Sequence, residues 1–412
     1  MDTFWPGVGG NWGRWGEADE RGALNLIDAE RIRAAAALVR SGRALSLARP
    51  LRNGLPPYYP RAGESAFDHQ MITWWGSNAG GDVQAASDRV RSECHGLEIT
   101  HMDALSHIAH RGRGYGDRDF REMAGPEGVS ACDITTAVPV VTRAVLADIP
   151  RLRGVDHLPP GTAVGHDELA AAAPSLAPGD ALIVRTGRWS ATPPEPDSPP
   201  ATGSAPGPVS ASAPDAASEP APAAAGGSSG AVSESLSASA PEAVPASGPA
   251  SGSASAPGSV SAVASGATPG FAVESSGPVS GAAFGSVPQP AFVPGAASGS
   301  ASAAGSWSGS GGRYGRLSGL HPDALRFVHE RDAALVGTDG PGDAFPVPVD
   351  DCRLPVHVLA LVYLGVHLVH SMALDELAET LAAEGRDDFM LILAPLAVPG
   401  GTGSPITPVA VI

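Results

Sequence analysis

The sequence predicts a single α/β domain interrupted by a long insertion, on three observations. Strand-like apolar runs alternate with helix-forming runs on both sides of the interruption. Neither side has enough strands by itself to close a sheet without open edges. Between them, residues 191–312 contain seven acidic side chains, no Arg and no His, and little besides Ala, Ser, Pro and Gly. Such a stretch cannot bury enough apolar area to offset its ordering entropy, so it is expected to be disordered. Setting it aside leaves 290 of the 412 residues, enough for one large domain whose N-terminal part is 1–190 and whose C-terminal part is 313–412. Loop closure costs only about 0.6 kcal/mol per doubling of length, so an insertion of this size is tolerable within one fold.

The chain begins with a Trp/Gly-rich stretch containing Trp5, Trp12 and Trp15. Asp28 can cap the helix that AERIRAAAALVR favours, and Gly42 stands where its C-terminal stop belongs. Residues 137–149, AVPVVTRAVLADI, and 181–186, ALIVRT, read as strands, the second introduced by a Pro178-Gly179-Asp180 turn. HDELAAAA, 166–173, reads as a short helix between them. After the insertion HPDALRFVHERD suggests a helix, AALVGTD a strand and VHVLALVYLGVHLV a buried helix. DELAETLAAEG then gives a capped amphipathic helix and FMLILAPL a strand.

Charge and composition exclude several function classes. The formal net charge of −17 divides into −7 for the insertion and −10 for the rest, and all 26 basic residues are Arg. A chain so acidic lacks the electrostatic footprint that holds a phosphate backbone, so nucleic acid is not an expected partner. No run of 18 apolar residues occurs, and the start has neither a basic n-region nor an apolar h-region. No membrane association is expected, and the reading is cytoplasmic. Cys94, Cys132 and Cys352, an odd number without metal-type spacing, fit a reducing compartment and are read as ordinary residues.

Histidine carries the chemistry. Five of the 12 histidines fall between His69 and His110, four of them in CHGLEITHMDALSHIAH. His101 and Asp103 stand at i and i+2, which on an extended strand points both side chains to one face. An imidazole nitrogen and a carboxylate oxygen converging there make two-thirds of a facial site for a borderline divalent ion, Zn or Mn. If the chain turns into a helix near Ala104, His107 swings back over the same site, where it can bind metal or move a proton. An isolated H-x-D equally fits a buried histidine followed by a helix cap; the surrounding histidines favour the metal reading.

With those residues in hand, the sequence resembles a known family. Thr100-His101-Met102-Asp103-Ala104 followed by His107 is similar to the T-H-x-D-A-x-x-H signature of the cyclase family, which includes bacterial kynurenine formamidases and isatin hydrolases. NWGRWGEADERGALNLI, GDALIVRTGRW, GLHPDALRFVHERDAALVGTDG, LPVHVLALVYLGVHLV and APLAVPGGTGSPITPVAVI resemble the family's blocks in the family's order. The resemblance implies a swivelling β/α/β fold, a divalent metal, opening or closure of amide- or carbonyl-containing rings and chains, and a homodimer or higher assembly. It also implies His101, Asp103 and His357 as metal ligands and His107 as the catalytic acid/base. Two departures appear. Where the formamidase type has a histidine four residues before the T-H histidine, this chain has Leu97, with His95 the nearest candidate; the late glutamate ligand falls near His370. Both departures make a one-metal site the expectation.

Other signals weigh less. Gly226, Ser228 and Gly230 match G-x-S-x-G but lie in simple sequence without a preceding strand, so no serine hydrolase is expected. His329-Glu330-Arg331-Asp332 lacks the accompanying kinase lysine, and Gly7, Gly9 and Gly10 complete no dinucleotide fingerprint. Arg185 and Trp189, with Arg188, end a strand where they can line a pocket and stack a flat substrate. His110, His321 and His367 are read as structural. The leading functional expectation is a metal-dependent hydrolase that cleaves an amide or formamide of a small aryl substrate, arylformamidase-like, as in tryptophan catabolism to kynurenine. A polyketide-type biosynthetic cyclase is the first alternative. A non-catalytic binding protein that uses the insertion as a spacer is the second, and metal content separates it from the other two.

Overall fold

A computed structural model describes residues 10–58, 64–74, 83–137, 139–190, 315–349 and 352–412. The expected disordered insertion at 191–312 lies outside the described residues. In chain order the strands of three or more residues are β1 (Ala44–Ser46), β2 (Phe67–Thr73), β3 (Ser87–Ser92), β4 (His101–Asp103), β5 (Val140–Asp148), β6 (Ala181–Arg185), β7 (Leu335–Thr338), β8 (His367–His370), β9 (Asp388–Leu393), β10 (Gly403–Pro405) and β11 (Val409–Val411). The main helices are α1 (Ala29–Ala36), α2 (Ile149–Arg153), α3 (His166–Ala172), α4 (Ala324–Glu330), α5 (Pro355–His357, continued by a π-helix Val358–Leu364) and α6 (Asp375–Glu384).

Nine strands form one mixed sheet in the order β1-β11-β9-β5-β6-β7-β8-β4-β10. The centre, β5-β6-β7-β8, is parallel, and every other pairing in this sheet is antiparallel. Parallel strands are buried on both faces, which is why ALIVR and LVGT read as unbroken apolar runs. Strands from before and after the insertion interleave, and β6 pairs directly with β7 across it. On one face Val145, Leu182, Val336 and Leu368 pack with Leu169 of α3, Phe327 of α4 and the buried side of α5. On the other, Leu146, Ile183, Leu335 and Val369 pack with Leu377 and Leu381 of α6. A two-stranded ribbon, β2–β3, stands apart from the sheet. Among the described residues no helix is long and apolar enough to cross a membrane.

Most expected elements form, with one correction in the C-terminal part. VHVLALVYLGVHLV does not run as one helix. Gly365 adopts a left-handed conformation at the C-terminal stop, Val366 N–H donates back to the Ala360 carbonyl, and His367–His370 becomes β8. Asp28 caps α1 as expected, accepting from Arg31 N–H.

Candidate metal centre

Four imidazoles converge on one buried carboxylate. β4 is extended, so His101 and Asp103 share a face as their spacing requires. The antiparallel register sets His370 of β8 opposite His101, which brings it to the same face. His357 reaches the cluster from α5, and His95 from the loop before β4. One oxygen of Asp103 is approached by His95 Nδ1 at 2.9 Å and His101 Nε2 at 3.5 Å; the other by His370 Nε2 at 3.1 Å and His357 Nε2 at 3.6 Å. Two ligand triplets, His95/His101/Asp103 and Asp103/His357/His370, therefore share the carboxylate.

Most of these rings are held from behind. His101 Nδ1 donates to the Ile99 carbonyl at 2.7 Å, His95 Nε2 is hydrogen-bonded to the Thr402 hydroxyl at 3.0 Å, and His357 Nδ1 donates to Asp343 at 2.6 Å. The ring of His95 lies on Gly403, where a Cβ would fall 2.6 Å from its Cε1. Burial sets the proton affinities. Asp103 is completely buried, yet the surrounding imidazoles hold its carboxyl well below the usual range. Burial drives His101 down to about 3, so it is a neutral donor. Burial also lowers His370. For His95 burial acts downward too, but the Asp103 hydrogen bond and charge prevail and push it up to about 10.

His107 flanks the cluster without joining either triplet. Its ring stacks parallel to His95 at 3.7 Å and lies 6.4 Å from His357. Burial lowers it to about 3, so the ring is neutral. The helix expected near Ala104 does not form. Ala104 N–H donates to Thr402 and Ser106 N–H to Cys132, so the backbone turns once, with His107 N–H on the Ala104 carbonyl.

The cluster forms one wall of a cavity of about 150 Å³, whose other walls include Leu97, Ile108, Pro341, Phe345 and Leu354. A larger open groove of about 690 Å³, lined in part by Ala171, Ala378 and Ala382, contains no imidazole. Arg185 and Trp189 are not brought to the cavity. Arg185 donates to Asp375 and Asp148, while Trp189 donates to the Met372 carbonyl beneath the guanidinium groups of Arg49 and Arg188. His110 hydrogen-bonds Tyr363, His321 hydrogen-bonds Asp323, and His367 is fully buried on the far face of β8. Cys94, Cys132 and Cys352 are free thiols. Asp343 and Thr402 escaped the sequence reading, since neither stands in a periodic or clustered pattern.

Residues 45–220 match the family model described as "Putative cyclase". Over that stretch, 176 of the 412 residues, the chain is similar to the cyclase family. The match spans His95, His101, Asp103 and His107, while His357 and His370 lie beyond it. No curated protein sequence matches the chain significantly. Among solved structures, one described as a novel cyclase is similar at 22% identity with a TM-score of 0.63, covering 98% of each chain. That likeness shows a common fold, the swivelling β/α/β arrangement expected of the family. Isatin hydrolase A from Labrenzia aggregata, bound to benzyl benzoate, is more distant, at 15% identity and a TM-score of 0.45 over 91% of this chain and 94% of its own.

Proposed function

We propose that the protein is a metal-dependent hydrolase that opens an amide, formamide or related carbonyl bond next to an aromatic ring. The observation that carries this reading is the convergence of His95, His101, His357 and His370 on buried Asp103 at the wall of an apolar cavity. The donor set fits a borderline divalent cation: one carboxylate, neutral imidazole at His101, and ring nitrogens of His95, His101 and His357 fixed toward the centre by bonds at their far sides. His101, Asp103 and His357 would hold the ion, with His95 and His370 able to complete its shell. So many imidazoles favour zinc over manganese. A cation held there supplies Lewis acidity, polarising a carbonyl and making water more acidic.

The chain's own residues supply the rest. His107, which lines the cavity beside the cluster and belongs to neither triplet, accepts the proton of the attacking nucleophile and returns it to the leaving nitrogen. Leu97, Ile108, Phe345 and Leu354 seat a flat ring and exclude water. A cavity of about 150 Å³ has room for a substrate on the order of one aromatic ring. No Arg lines it among the described residues, and the chain has no Lys, so a charged amino-acid substituent would find no guanidinium or ammonium to pair with. A neutral aryl formamide, anilide or fused cyclic amide therefore suits the site better than N-formylkynurenine. The test is turnover by zinc- and manganese-loaded protein of phenylformamide, isatin and N-formylkynurenine in parallel. Faster hydrolysis of the neutral compounds supports the reading. Preference for N-formylkynurenine overturns the substrate class, and no hydrolysis of any of them favours the ring-closing or binding alternatives.

A further inference from the structure

We propose that Asp343 is a positioning residue: it fixes the ring of His357 so that Nε2 faces the Asp103 cluster. This rests on the reading of that cluster as a metal site. Asp343 is completely buried. Its Oδ1 accepts from Val356 N–H at 2.8 Å, and its Oδ2 accepts from the His357 ring Nδ1–H at 2.6 Å and from His357 N–H at 3.4 Å. One carboxylate thus holds both the backbone at the start of α5 and the orientation of the side chain that α5 delivers.

The carboxylate is itself held rigidly. Leu320 N–H donates to the Gly342 carbonyl and Ala344 N–H to the Leu320 carbonyl, which bridges residues 342–344 to another segment of the domain. Gly342 lets this loop lie against the rings. Its φ is +83°, and a Cβ there would fall 2.7 Å from His370 Cε1 and 3.6 Å from His357 Cε1. The two rings stack on each other at 4.8 Å. His357 and His370 are consequently placed as a pair from one side by Gly342-Asp343.

Asp343 differs in kind from the other groups behind the cluster. His101 leans on a carbonyl and His95 on a hydroxyl, whereas His357 leans on an anion. An anion behind an imidazole keeps the proton on the near nitrogen and strengthens the far nitrogen as a donor. Without it the ring is free to adopt the other tautomer, which would aim an N–H at the place a cation must occupy.

The experiment uses full-length Asp343→Asn and Asp343→Ala proteins beside the parent chain, at one fixed pH. Asparagine keeps the shape and an acceptor oxygen, which guards against simple misfolding in the alanine variant. Zinc affinity is read by competition with a chromophoric chelator, and metal-free thermal stability is read separately. The ring Nδ1–H of His357 is read in metal-free protein as a downfield proton resonance, assigned by its loss in His357→Gln. The expected result is a downfield resonance that shifts upfield in Asp343→Asn and vanishes in Asp343→Ala. Zinc affinity should fall about 10- to 100-fold in Asp343→Ala and less in Asp343→Asn. Unchanged affinity in both variants overturns the proposal, as does a parent chain that lacks the resonance. An affinity loss that only tracks lower metal-free stability, with the resonance unmoved, also overturns it and leaves Asp343 as a cap for α5. If the parent chain binds no zinc, the metal reading fails on its own, and the resonance still decides whether Asp343 orients His357.

Discussion

Replacing Asp103 by Asn preserves the shape of a fully buried side chain and removes the charge on which four imidazoles converge. Their nitrogens lie 2.9, 3.5, 3.1 and 3.6 Å from its two oxygens. At about 3 Å and an effective dielectric near 20, two unit charges interact by roughly 5 kcal/mol. Desolvation cancels much of that, and about 3 kcal/mol is a reasonable remainder for a cation held at the centre. Zinc should therefore bind at least ~100-fold more weakly. The amide also turns an N–H₂ toward ring nitrogens that now face a carboxylate oxygen, which adds a cost in the metal-free fold. Chelator competition for zinc and manganese on the parent and variant chains measures the first effect, and metal-free thermal unfolding the second. Affinities within about threefold of the parent would refute the assignment of Asp103 as the charge that binds the ion.

Further expectations separate the roles of neighbouring groups. His107→Ala should lower turnover by about 10²–10⁴ while leaving zinc content unchanged, because His107 belongs to neither ligand triplet; loss of the metal with the activity would make it a ligand. Asp339 accepts from Thr186 N–H, Thr186 Oγ1–H, Gly187 N–H and Arg188 N–H, so Asp339→Ala should cost about 3 kcal/mol or more, and an unchanged melting temperature would contradict this. His166 clasps α3 to α4 through Glu330, and hydrogen bonds to Glu330 and Asp167 raise its pKa above the ordinary 6.5. Its small contribution is thus complete below about pH 6.5 and disappears as pH rises through the raised value, so the stability difference between parent and His166→Gln should shrink over that range; a constant difference would show that the charge contributes nothing.

Much of the sheet was legible because its strands are either unbroken apolar runs, as in β6 and β7, or begin at clear turn signals. The pairing of His101 with Asp103 followed from the two-residue period of a strand. The rest of the cluster was not periodic. His357 and His370 arrive from segments separated from β4 by more than 250 residues, and only family resemblance pointed to them. Asp343 carries no local signal, since a Gly-Asp pair in a loop is ordinary until the fold puts it behind an imidazole. VHVLALVYLGVHLV misled because a buried helix and a buried strand are both continuous apolar runs, and Gly365 alone marks the boundary. Arg185 and Trp189 were placed correctly at a strand end, but the carboxylates of Asp148 at the end of β5 and Asp375 in α6, and the Met372 carbonyl, claim their polar groups, a competition invisible in sequence.

If the Asp103 cluster binds a divalent metal, the ion itself can be located. Anomalous diffraction at the zinc edge from crystals of the zinc-loaded full-length protein tests this binding most directly. A peak is expected about 2.0–2.2 Å from an Asp103 oxygen and from imidazole nitrogens including those of His101 and His357. Zinc located only elsewhere on the chain, or no peak at the cluster under saturating zinc, would contradict it.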